Sequence, residues 1–450
     1  MSALARLRAR LGRPVANERG VALIMVAVVI AVLGAVLTEF SYNARVDLEA
    51  AANGRDLLRA EYLARSGVAL SRLLIKVQQA VLDPARKFVG DAQIADYAPY
   101  LIRAFGGDSE ERAGLGSLLG IDSSSLKGLG MGKGATFDVT MTSDDGRLNL
   151  NCGGGMNDGA RQAVLYGVLS SMFWPPRYNR LFENPDADGQ LNTRDDVARA
   201  ILDWADIDET KFEPPQPGKT ASTGGGAEDY RYDAGKDPYR AHNHYYDSVE
   251  ELHMVRGMGD ETFGSFGEMF TVYGSCKVNL GALRPESWPL VAAIIRATVT
   301  DEKKNDPLLT DEILVAALAQ RAISQAQLFG GFQSVQDFVK IVGDPNAEVS
   351  ATSTTGGPTT AAASTSKPSS SASSSGVNGI ALDPKKVTQV VTTGARRTYR
   401  LDAVGLVERT KTRKVQVHVR AVWDTTHFNQ NTTSPDPNDR QGTWVYYRLD

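Results

Sequence analysis

The chain has 450 residues, of which 42% are hydrophobic and 23% charged; this exceeds one usual compact domain, so we expect two or three folded units. The formal net charge is −4 although five arginines fall within residues 1–20, so the remainder is clearly acidic, which argues against nucleic acid as a partner. Two cysteines are too few for a disulfide scaffold and lack the paired spacing of a zinc site.

Residues 21–38 form an uncharged stretch of Val, Ala, Leu and Ile that would be about 27 Å long as a helix and would span a membrane. Arginines precede the stretch and acidic residues follow it, so the positive-inside rule predicts a cytoplasmic N-terminus and an exported body. No small-residue cleavage site follows Thr38, as an ordinary secretory signal would require. The order of basic leader (1–20), glycine and apolar helix resembles prepilins, which predicts cleavage between Gly20 and Val21. The alternative is an uncleaved anchor.

The helical pattern continues through residues 39–83 and stops at Asp83-Pro84, which predicts one helix of about 60 residues. Half of this helix would lie in lipid, and the other half would pack on a domain. Its packing stripe is predicted to consist of Leu63, Leu70, Leu73, Leu74, Val77 and Val81.

Residues 84–159 are predicted to begin a β domain, in which residues 135–151 form two alternating strands joined by an Asp-Asp-Gly turn as a hairpin. We predict an inserted α-domain at 160–268, a strand returning to the sheet at 269–287, and a second helical segment at 288–349.

Residues 350–376 are almost entirely Ser, Thr, Ala, Gly and Pro, which predicts a disordered linker. In the C-terminal part, 377–450, three alternating segments at 397–407, 414–423 and 443–449 are predicted antiparallel strands. The sequence leaves open whether they complete the first sheet or form a separate one. Together these elements predict an α+β fold, in which a long N-terminal helix packs on an antiparallel sheet interrupted by a large helical insertion.

Residues 184–195 have the spacing of an EF-hand loop, which predicts a calcium site. Gly189 at position 6 permits the sharp turn, and an Asp replaces the usual bidentate Glu at position 12, which predicts weaker binding. The alternative is a polar loop with a helix cap at its end. The predicted ligands are Asn184, Asp186, Asp188, Gln190, Asn192 and Asp195.

A second acidic cluster follows around Trp204. Its carboxylates could complete a second cation site, although solvated carboxylates at a helix end are the commoner explanation of such a pattern. The residues of this cluster are Asp203, Asp206 and Asp208.

The remaining motifs do not predict an enzyme or a DNA-binding protein. Val255–Gly259 has the pattern of a helix-hairpin-helix turn, but residues 247–261 carry one Arg against five carboxylates, so we interpret it as structural. His242, His244 and His253 lack acid or thiol ligands at the spacing of a metal or nuclease site. No G-x-S-x-G, H-E-x-x-H or P-loop motif occurs.

Cys152 and Cys276 each adjoin one of two similar strand-like segments, so the two residues could be neighbours in one sheet. The sequence leaves two readings equally open, a disulfide and a pair of buried free thiols.

Seven short blocks, in the same order, resemble the type II secretion minor pseudopilins of the general secretion pathway protein K family. The linker at 350–376 is not part of that pattern. Met25 occupies the fifth mature position, where most pilins carry a Glu; within the family its absence is associated with the subunit that caps the tip. The blocks are Arg19–Ile24, Gly146–Asn151, Ala200–Glu209, Gly226–Tyr230, Pro238–Asn243, Asp247–Met258 and Tyr399–Gly405.

The resemblance implies a non-enzymatic, single-pass inner-membrane protein with a periplasmic body, a pilin-type fold and bound calcium. The two-site pattern of the family would also allow Glu228 and Asp229 to complete a second cation site with the carboxylates around Trp204. It would act at the tip of the type II secretion pseudopilus. Its partners would be the other minor pseudopilins, the inner-membrane assembly platform, the prepilin peptidase that processes it, and secreted exoproteins. The alternatives are a minor pilin of a type IV pilus and, from another class, a membrane-anchored periplasmic enzyme or DNA-binding protein.

Overall fold

The computed structural model describes residues 18–85, 93–106, 134–154, 159–185, 189–214, 226–228, 232, 238–328, 332, 334–344, 379–410, 413–425 and 442–450. The predicted linker at 350–376 and most of the predicted leader at 1–20 lie outside these ranges.

Helices and strands are numbered in chain order. The helices are α1 Glu18–Val77, α2 Ile94–Gly106, α3 Gly159–Phe173, α4 Asn179–Glu183, α5 Arg194–Asp203, α6 Asp260–Phe266, α7 Trp288–Thr298, α8 Pro307–Thr310, α9 Glu312–Leu328, α10 Val335–Gly343 and α11 Pro384–Val390. The strands are β1 Ala135–Ser143, β2 Leu148–Asn149, β3 Phe270–Thr271, β4 Val278–Asn279, β5 Val391–Thr392, β6 Thr398–Thr410, β7 Arg413–Asp424 and β8 Thr443–Leu449.

The long helix α1 spans 60 residues and continues into one π-helical turn, Gln78–Leu82. Among the described helices, α1 alone is long and apolar enough to cross a membrane, and its most apolar part is not buried against the rest of the protein. Its C-terminal half packs on β1, β6 and β7. This helix fits the single-pass anchor that the sequence predicts.

Small side chains, and not the predicted leucine stripe, form the face of α1 that packs most closely on the sheet. Ala60, Ala64 and Val68 are buried, whereas Leu73 and Val81 are exposed. Three of the predicted leucines are partly buried at the margin of the interface. The prediction was therefore wrong for Leu73, Val77 and Val81, whereas Ile75, which it did not include, is fully buried in the same core.

The main sheet has four antiparallel strands in the order β1-β6-β7-β8. Met141 pairs with Leu401, and Leu401 pairs with Ala421, so alternate residues of three strands point toward α1. Apolar residues on that face, including Tyr399 and Trp423, form one core with α1. The C-terminal strands therefore complete the sheet that β1 begins, and the predicted α+β architecture is confirmed.

Two strand predictions were wrong. The Asp-Asp-Gly turn does not form a hairpin, because β1 pairs with β6 whereas β2 pairs in parallel with β3. Residues 269–287 do not return to the main sheet; β3 pairs with β2, and β4 pairs in parallel with β5. Both segments instead form short two-stranded ladders beside the helical unit.

The helical unit has its own core, which extends from Leu148 to Val391 and includes Phe173, Phe266 and Phe338. Helix α7 lies at its centre, with Val291, Ile294 and Ile295 buried, and contacts α3 and α9. The insertion thus has a large core of its own, as a separate folding unit requires.

Candidate metal centre

Helix α5 positions the first two carboxylates of the candidate site. The helix begins with a capping box, in which Thr193 accepts a hydrogen bond from the amide of Asp196 and Asp196 accepts one from the amide of Thr193. It ends at Asp203, and Asp206 follows three residues later, so both carboxylates lie at the same end of the helix.

A short antiparallel bridge supplies the third carboxylate. Thr210 pairs with Ala227, the amide of Lys211 donates to the carbonyl of Gly226 at 3.1 Å, and the amide of Glu228 donates to the carbonyl of Glu209 at 3.3 Å. Glu228 lies 25 residues after Asp203 in the sequence, and this pairing brings it to the end of α5.

Asp203, Asp206 and Glu228 form a compact, buried cluster. One carboxylate oxygen from each lies within 4.8 Å of the other two, and all three side chains are buried. The amide of Phe212 donates to Asp203 Oδ1 at 2.7 Å, and Gln162 Nε2 donates to Asp206 Oδ2 at 3.1 Å. Within the described part of the chain, no N–H or hydroxyl group donates to Asp206 Oδ1 or to either oxygen of Glu228, so a hydrogen bond between these two carboxyl groups forms when one of them holds a proton.

Burial is the main reason that these groups hold protons more tightly than usual. Desolvation raises the pKa of Asp203 to about 7. It raises the pKa of Asp206 to about 8, with the charge of Asp203 adding to the shift. The pKa of Glu228 rises to about 10, through desolvation and then the charge of Asp206. Three converging carboxylates without enough donors are costly unless they are protonated or bind a cation.

The donor set fits a hard divalent cation. Calcium prefers six to eight oxygen ligands, including carboxylates and backbone carbonyls, whereas zinc and copper prefer nitrogen or sulfur. The cluster offers oxygens alone. The donor-free oxygens of Asp206 and Glu228 are the ones available to such an ion.

Asp208 and Asp229 were also predicted for this site, but the structure does not show them in the cluster of Asp203, Asp206 and Glu228. Asp208 accepts hydrogen bonds from the amide of Thr210, at 2.8 Å, and from the Thr210 hydroxyl, so it closes its own turn. The carbonyl of Asp208 accepts from Asn243 Nδ2 at 3.1 Å. Asp229 lies outside the described residues.

The predicted EF-hand loop is described at residues 184–185 and 189–195. Asp186 and Asp188 lie outside the described residues, and Asn184 Nδ2 donates to the carbonyl of Arg180 at 3.1 Å. Asp195, the predicted closing ligand, accepts from the hydroxyl of Tyr166 and pairs with Arg199 on the next turn of α5. Calcium in this loop stays a prediction.

Gln190 and Asn192 line a cavity of about 450 Å³ beside the loop. The cavity lies between the loop and the segment predicted to be a helix-hairpin-helix turn. Within that segment Gly257 has a φ of 80°, and a Cβ there would overlap Val197 and crowd Asn192. The turn therefore packs against α5, as a structural hairpin would.

His242 and His253 each lie near a different carboxylate, and the rings of His242 and His244 are 5.8 Å apart between centroids. His242 Nδ1 lies 3.6 Å from Glu251, and His253 Nδ1 lies 3.4 Å from Asp260. Neither histidine belongs to the acidic cluster.

A disulfide joins Cys152 and Cys276, whose Cα atoms are 5.4 Å apart. Cys152 follows β2 and Cys276 precedes β4, and Cys276 is exposed. The bridge links the two short parallel ladders. Of the two possibilities that the sequence left open, the structure therefore shows the disulfide and not the pair of buried free thiols.

Residues 146–274 match the family model described as Type II secretion system (T2SS), protein K. The predicted resemblance to this family is thereby confirmed over the segment that contains the acidic cluster. Among curated proteins there is no match. One similar solved structure is a chain of the GspK-GspI-GspJ complex of the enterotoxigenic Escherichia coli type 2 secretion system. It is 13% identical with a TM-score of 0.40, over 70% of this chain and 80% of that chain.

Proposed function

We propose that this chain, as a type II secretion protein K, is a non-enzymatic minor pseudopilin at the tip of the pseudopilus that takes part in its assembly and in protein export. The observation that carries this proposal is the match of residues 146–274 to the family. It occurs in a chain whose first described helix is long enough to cross a membrane and then packs on an antiparallel sheet.

The helix geometry supports the proposed location. The apolar part of α1 presents its side chains outward, as expected of a segment surrounded by lipid. The arginine-rich stretch before it favours a cytoplasmic N-terminus and a periplasmic body. We therefore place the chain in the inner membrane, after cleavage between Gly20 and Val21 by prepilin peptidase.

The tip position is supported by Met25. A carboxylate at this position would be costly in lipid unless it paired with the terminal amine of a neighbouring subunit. A subunit at the tip has no neighbour ahead of it, so a Glu at this position would have no such partner. Sibling minor pseudopilins are the proposed partners; the similar solved complex contains GspI and GspJ beside GspK. The assembly platform and exoproteins follow as further proposed partners.

Calcium is the proposed ligand of the acidic cluster. The support is the convergence of Asp203, Asp206 and Glu228 with too few donors to satisfy their oxygens. We assign the ion a structural role, because it would fasten the segment containing Glu228 to the end of α5. The EF-hand-like loop is a second proposed calcium site.

The test is the N-terminus of the membrane-extracted chain, measured by mass spectrometry in hosts with and without the prepilin peptidase gene. We expect Val21 as the first residue only when the peptidase is present, and no cleavage in a Gly20→Val variant. Co-expression with type II secretion minor pseudopilins should then yield a complex by size-exclusion chromatography. An N-terminus at residue 1 or 2 in both hosts would overturn the proposal, and assembly with type IV pilus subunits instead would favour a minor pilin.

A further inference from the structure

A cavity of about 490 Å³ lies in the helical unit, between α3, the end of α11 and the disulfide. Its volume falls within the range of about 300–1,000 Å³ that is usual for small-molecule sites. Among the described residues that line it, none belongs to the acidic cluster. It is called the α3 cavity below, and its apolar lining consists of Leu148, Cys152, Val164, Leu165, Val168 and Val390.

The lining of the α3 cavity suits an apolar ligand. Leu165 and Val168 are buried side chains of α3. The amide group of Asn149 also lines the cavity, but its Nδ2 donates to the carbonyl of Gly274 at 3.0 Å, and its Oδ1 accepts from the amide of Asn151 at 3.0 Å. Because this polar group already has partners in the protein, a ligand in the cavity mainly meets carbon and sulfur.

The charged residues that line the cavity are both basic. Arg161, in the first turn of α3, and Lys277, next to the disulfide, have exposed side chains. Among the described lining residues there is no Asp or Glu, although the chain as a whole has a net charge of −4. The N-terminal end of a helix such as α3 adds a partial positive charge. The charge around the cavity is therefore opposite to that of the chain and favours an anion.

The backbone on both sides of Lys277 is held in place. Cys276, the residue before it, is joined by the disulfide to Cys152 in the cavity lining. Val278, the residue after it, pairs with Val391 in the ladder of β4 and β5. A covalent bridge and a strand pairing therefore keep the ammonium group within reach of the cavity.

The surroundings of the cavity favour a small ligand over a protein partner. In the described part of the chain, none of the large apolar side chains that are strongly exposed lines the cavity. Its exposed lining residues are Ala160, Arg161, Lys277 and Gln389, which form the edge of the cavity. A stable protein interface buries about 800 Å² per partner around an apolar centre. Here the apolar surface lies within the cavity, and its edge is mostly polar.

We propose that the α3 cavity binds a single-chain anionic amphiphile of the fatty-acid class. Its acyl chain packs against the apolar lining, and its carboxylate pairs with the ammonium group of Lys277, while Arg161 adds to the positive charge at the edge. One acyl chain matches the volume, and one negative head group matches the basic edge. Binding of this kind depends neither on the tip position nor on calcium.

Photolabelling of the full chain in phospholipid nanodiscs tests the proposal. The probe is laurate that carries a diazirine in its chain, and its methyl ester is the neutral counterpart. We expect saturable labelling of peptides from α3, α11 and Cys276–Val278, identified by mass spectrometry, and competition by unlabelled laurate. The methyl ester should label these peptides at least about tenfold less. At equal free concentration, octanoate should compete at least about tenfold more weakly than laurate, because it buries fewer methylenes.

Lys277→Glu and Ala160→Trp are the test variants. The first reverses a charge at the edge of the cavity, and the second obstructs the edge from an exposed position. Each should reduce labelling of the cavity peptides at least about tenfold. Lys385→Glu is the matched control, because Lys385 is exposed on α11 and does not line the cavity. It should leave labelling unchanged, and thermal melting of each variant separates loss of binding from loss of fold.

Equal labelling by the acid and its methyl ester, or undiminished labelling of Lys277→Glu and Ala160→Trp, would overturn the proposal. So would labelling confined to the apolar part of α1, because the probe would then only be dissolved in the bilayer. A protein occupant would be indicated if the probe failed to label the cavity and sibling pseudopilins protected the Lys277 amine from acetylation. That result would overturn the proposal as well.

Discussion

Gly405 of β6 lies against the main chain of α1 at Ala60, so closely that a methyl group on Gly405 would overlap the Ala60 carbonyl oxygen. The same methyl group would also crowd the amide nitrogen of Ala64. Helix and sheet therefore meet backbone to backbone at this point, and this contact fixes the separation of the two layers.

We expect Gly405→Ala to destabilise the sheet unit by about 1–3 kcal/mol, because helix backbone cannot move aside as a flexible side chain can. The measurement is chemical denaturation of the solubilised full chain. Gly394→Ala serves as the control, since a Cβ there meets nothing within 4 Å. Equal stability of the two variants would show that α1 is free to shift on the sheet.

The buried carboxylate of Asp144 joins the main sheet to the helical unit. Asp144 Oδ2 accepts from Arg400 Nη2 at 3.0 Å and from the hydroxyl of Thr271 at 3.3 Å, and Arg147 lies 3.7 Å from Oδ1. Asp144 is fully buried, whereas 38% of the Arg400 side chain is exposed. The cost of breaking a buried ion pair, about 3–5 kcal/mol, is therefore an upper value for this pair, and it is approached when Arg400 is removed and the carboxylate stays buried.

We expect Asp144→Ala and Arg400→Met each to destabilise the protein strongly, and the double variant to lose less than the sum of the two. A double-mutant cycle in guanidinium denaturation measures the coupling. The exposed pair Glu408 and Lys414, 2.6 Å apart, is the matched control and should couple by about 0–1 kcal/mol. Additive effects at Asp144 and Arg400 would contradict a joining role.

The disulfide closes a loop of large sequence separation. Cys152 and Cys276 are 124 residues apart, so reducing the bridge gives the unfolded chain much more freedom. We expect Cys152→Ser with Cys276→Ser to lower the free energy of unfolding by about 2–5 kcal/mol. Dithiothreitol should shift the wild-type denaturation midpoint by the same amount and leave the double variant unchanged. A denaturation midpoint that is the same for the wild type, the double variant and the dithiothreitol-treated wild type would mean that the bridge is not formed in the exported chain.

Local patterns in the sequence predicted much of the fold. The 60-residue helix and the three C-terminal strands follow from helical and two-residue periodicities, which are properties of neighbouring residues. The Asp-Asp-Gly turn was misjudged because its partners are distant in sequence. Asp144 binds Arg400, and Asp145 accepts from the amides of Arg397 and Thr398. Such pairs decide strand order and leave no local periodicity.

The candidate site shows the same division. Asp203 and Asp206 were identifiable because three-residue spacing at a helix end is local. Glu228 was expected in the site only through the family resemblance, because its place depends on the pairing of Thr210 with Ala227, which no local motif indicates. Asp208 was grouped with them by spacing alone, whereas its side chain satisfies the backbone of its own turn.

The acidic cluster predicts an unusual pH dependence for the calcium-free chain. Burial raises the pKa of Asp203 to about 7, of Asp206 to about 8 and of Glu228 to about 10, whereas such groups titrate near 4 in an unfolded chain. Between the unfolded pKa values near 4 and the raised folded pKa values, the folded chain therefore binds more protons than the unfolded chain. This contribution to stability is fully present below about pH 4 and is lost as pH rises through the folded pKa values.

Bound calcium replaces the protons, so its stabilising effect should increase with pH. We expect the melting temperature in EGTA to fall from pH 5 to pH 9, and millimolar calcium to restore it, with the largest rise at pH 9. Asp206→Asn and Glu228→Gln should flatten the EGTA profile and reduce the calcium response, whereas Asp260→Asn, at a fully exposed side chain, should change neither. Asp188→Asn tests the predicted loop separately. A calcium response that survives at Asp206→Asn and disappears at Asp188→Asn would place the ion in the loop, because the cluster would then hold protons alone.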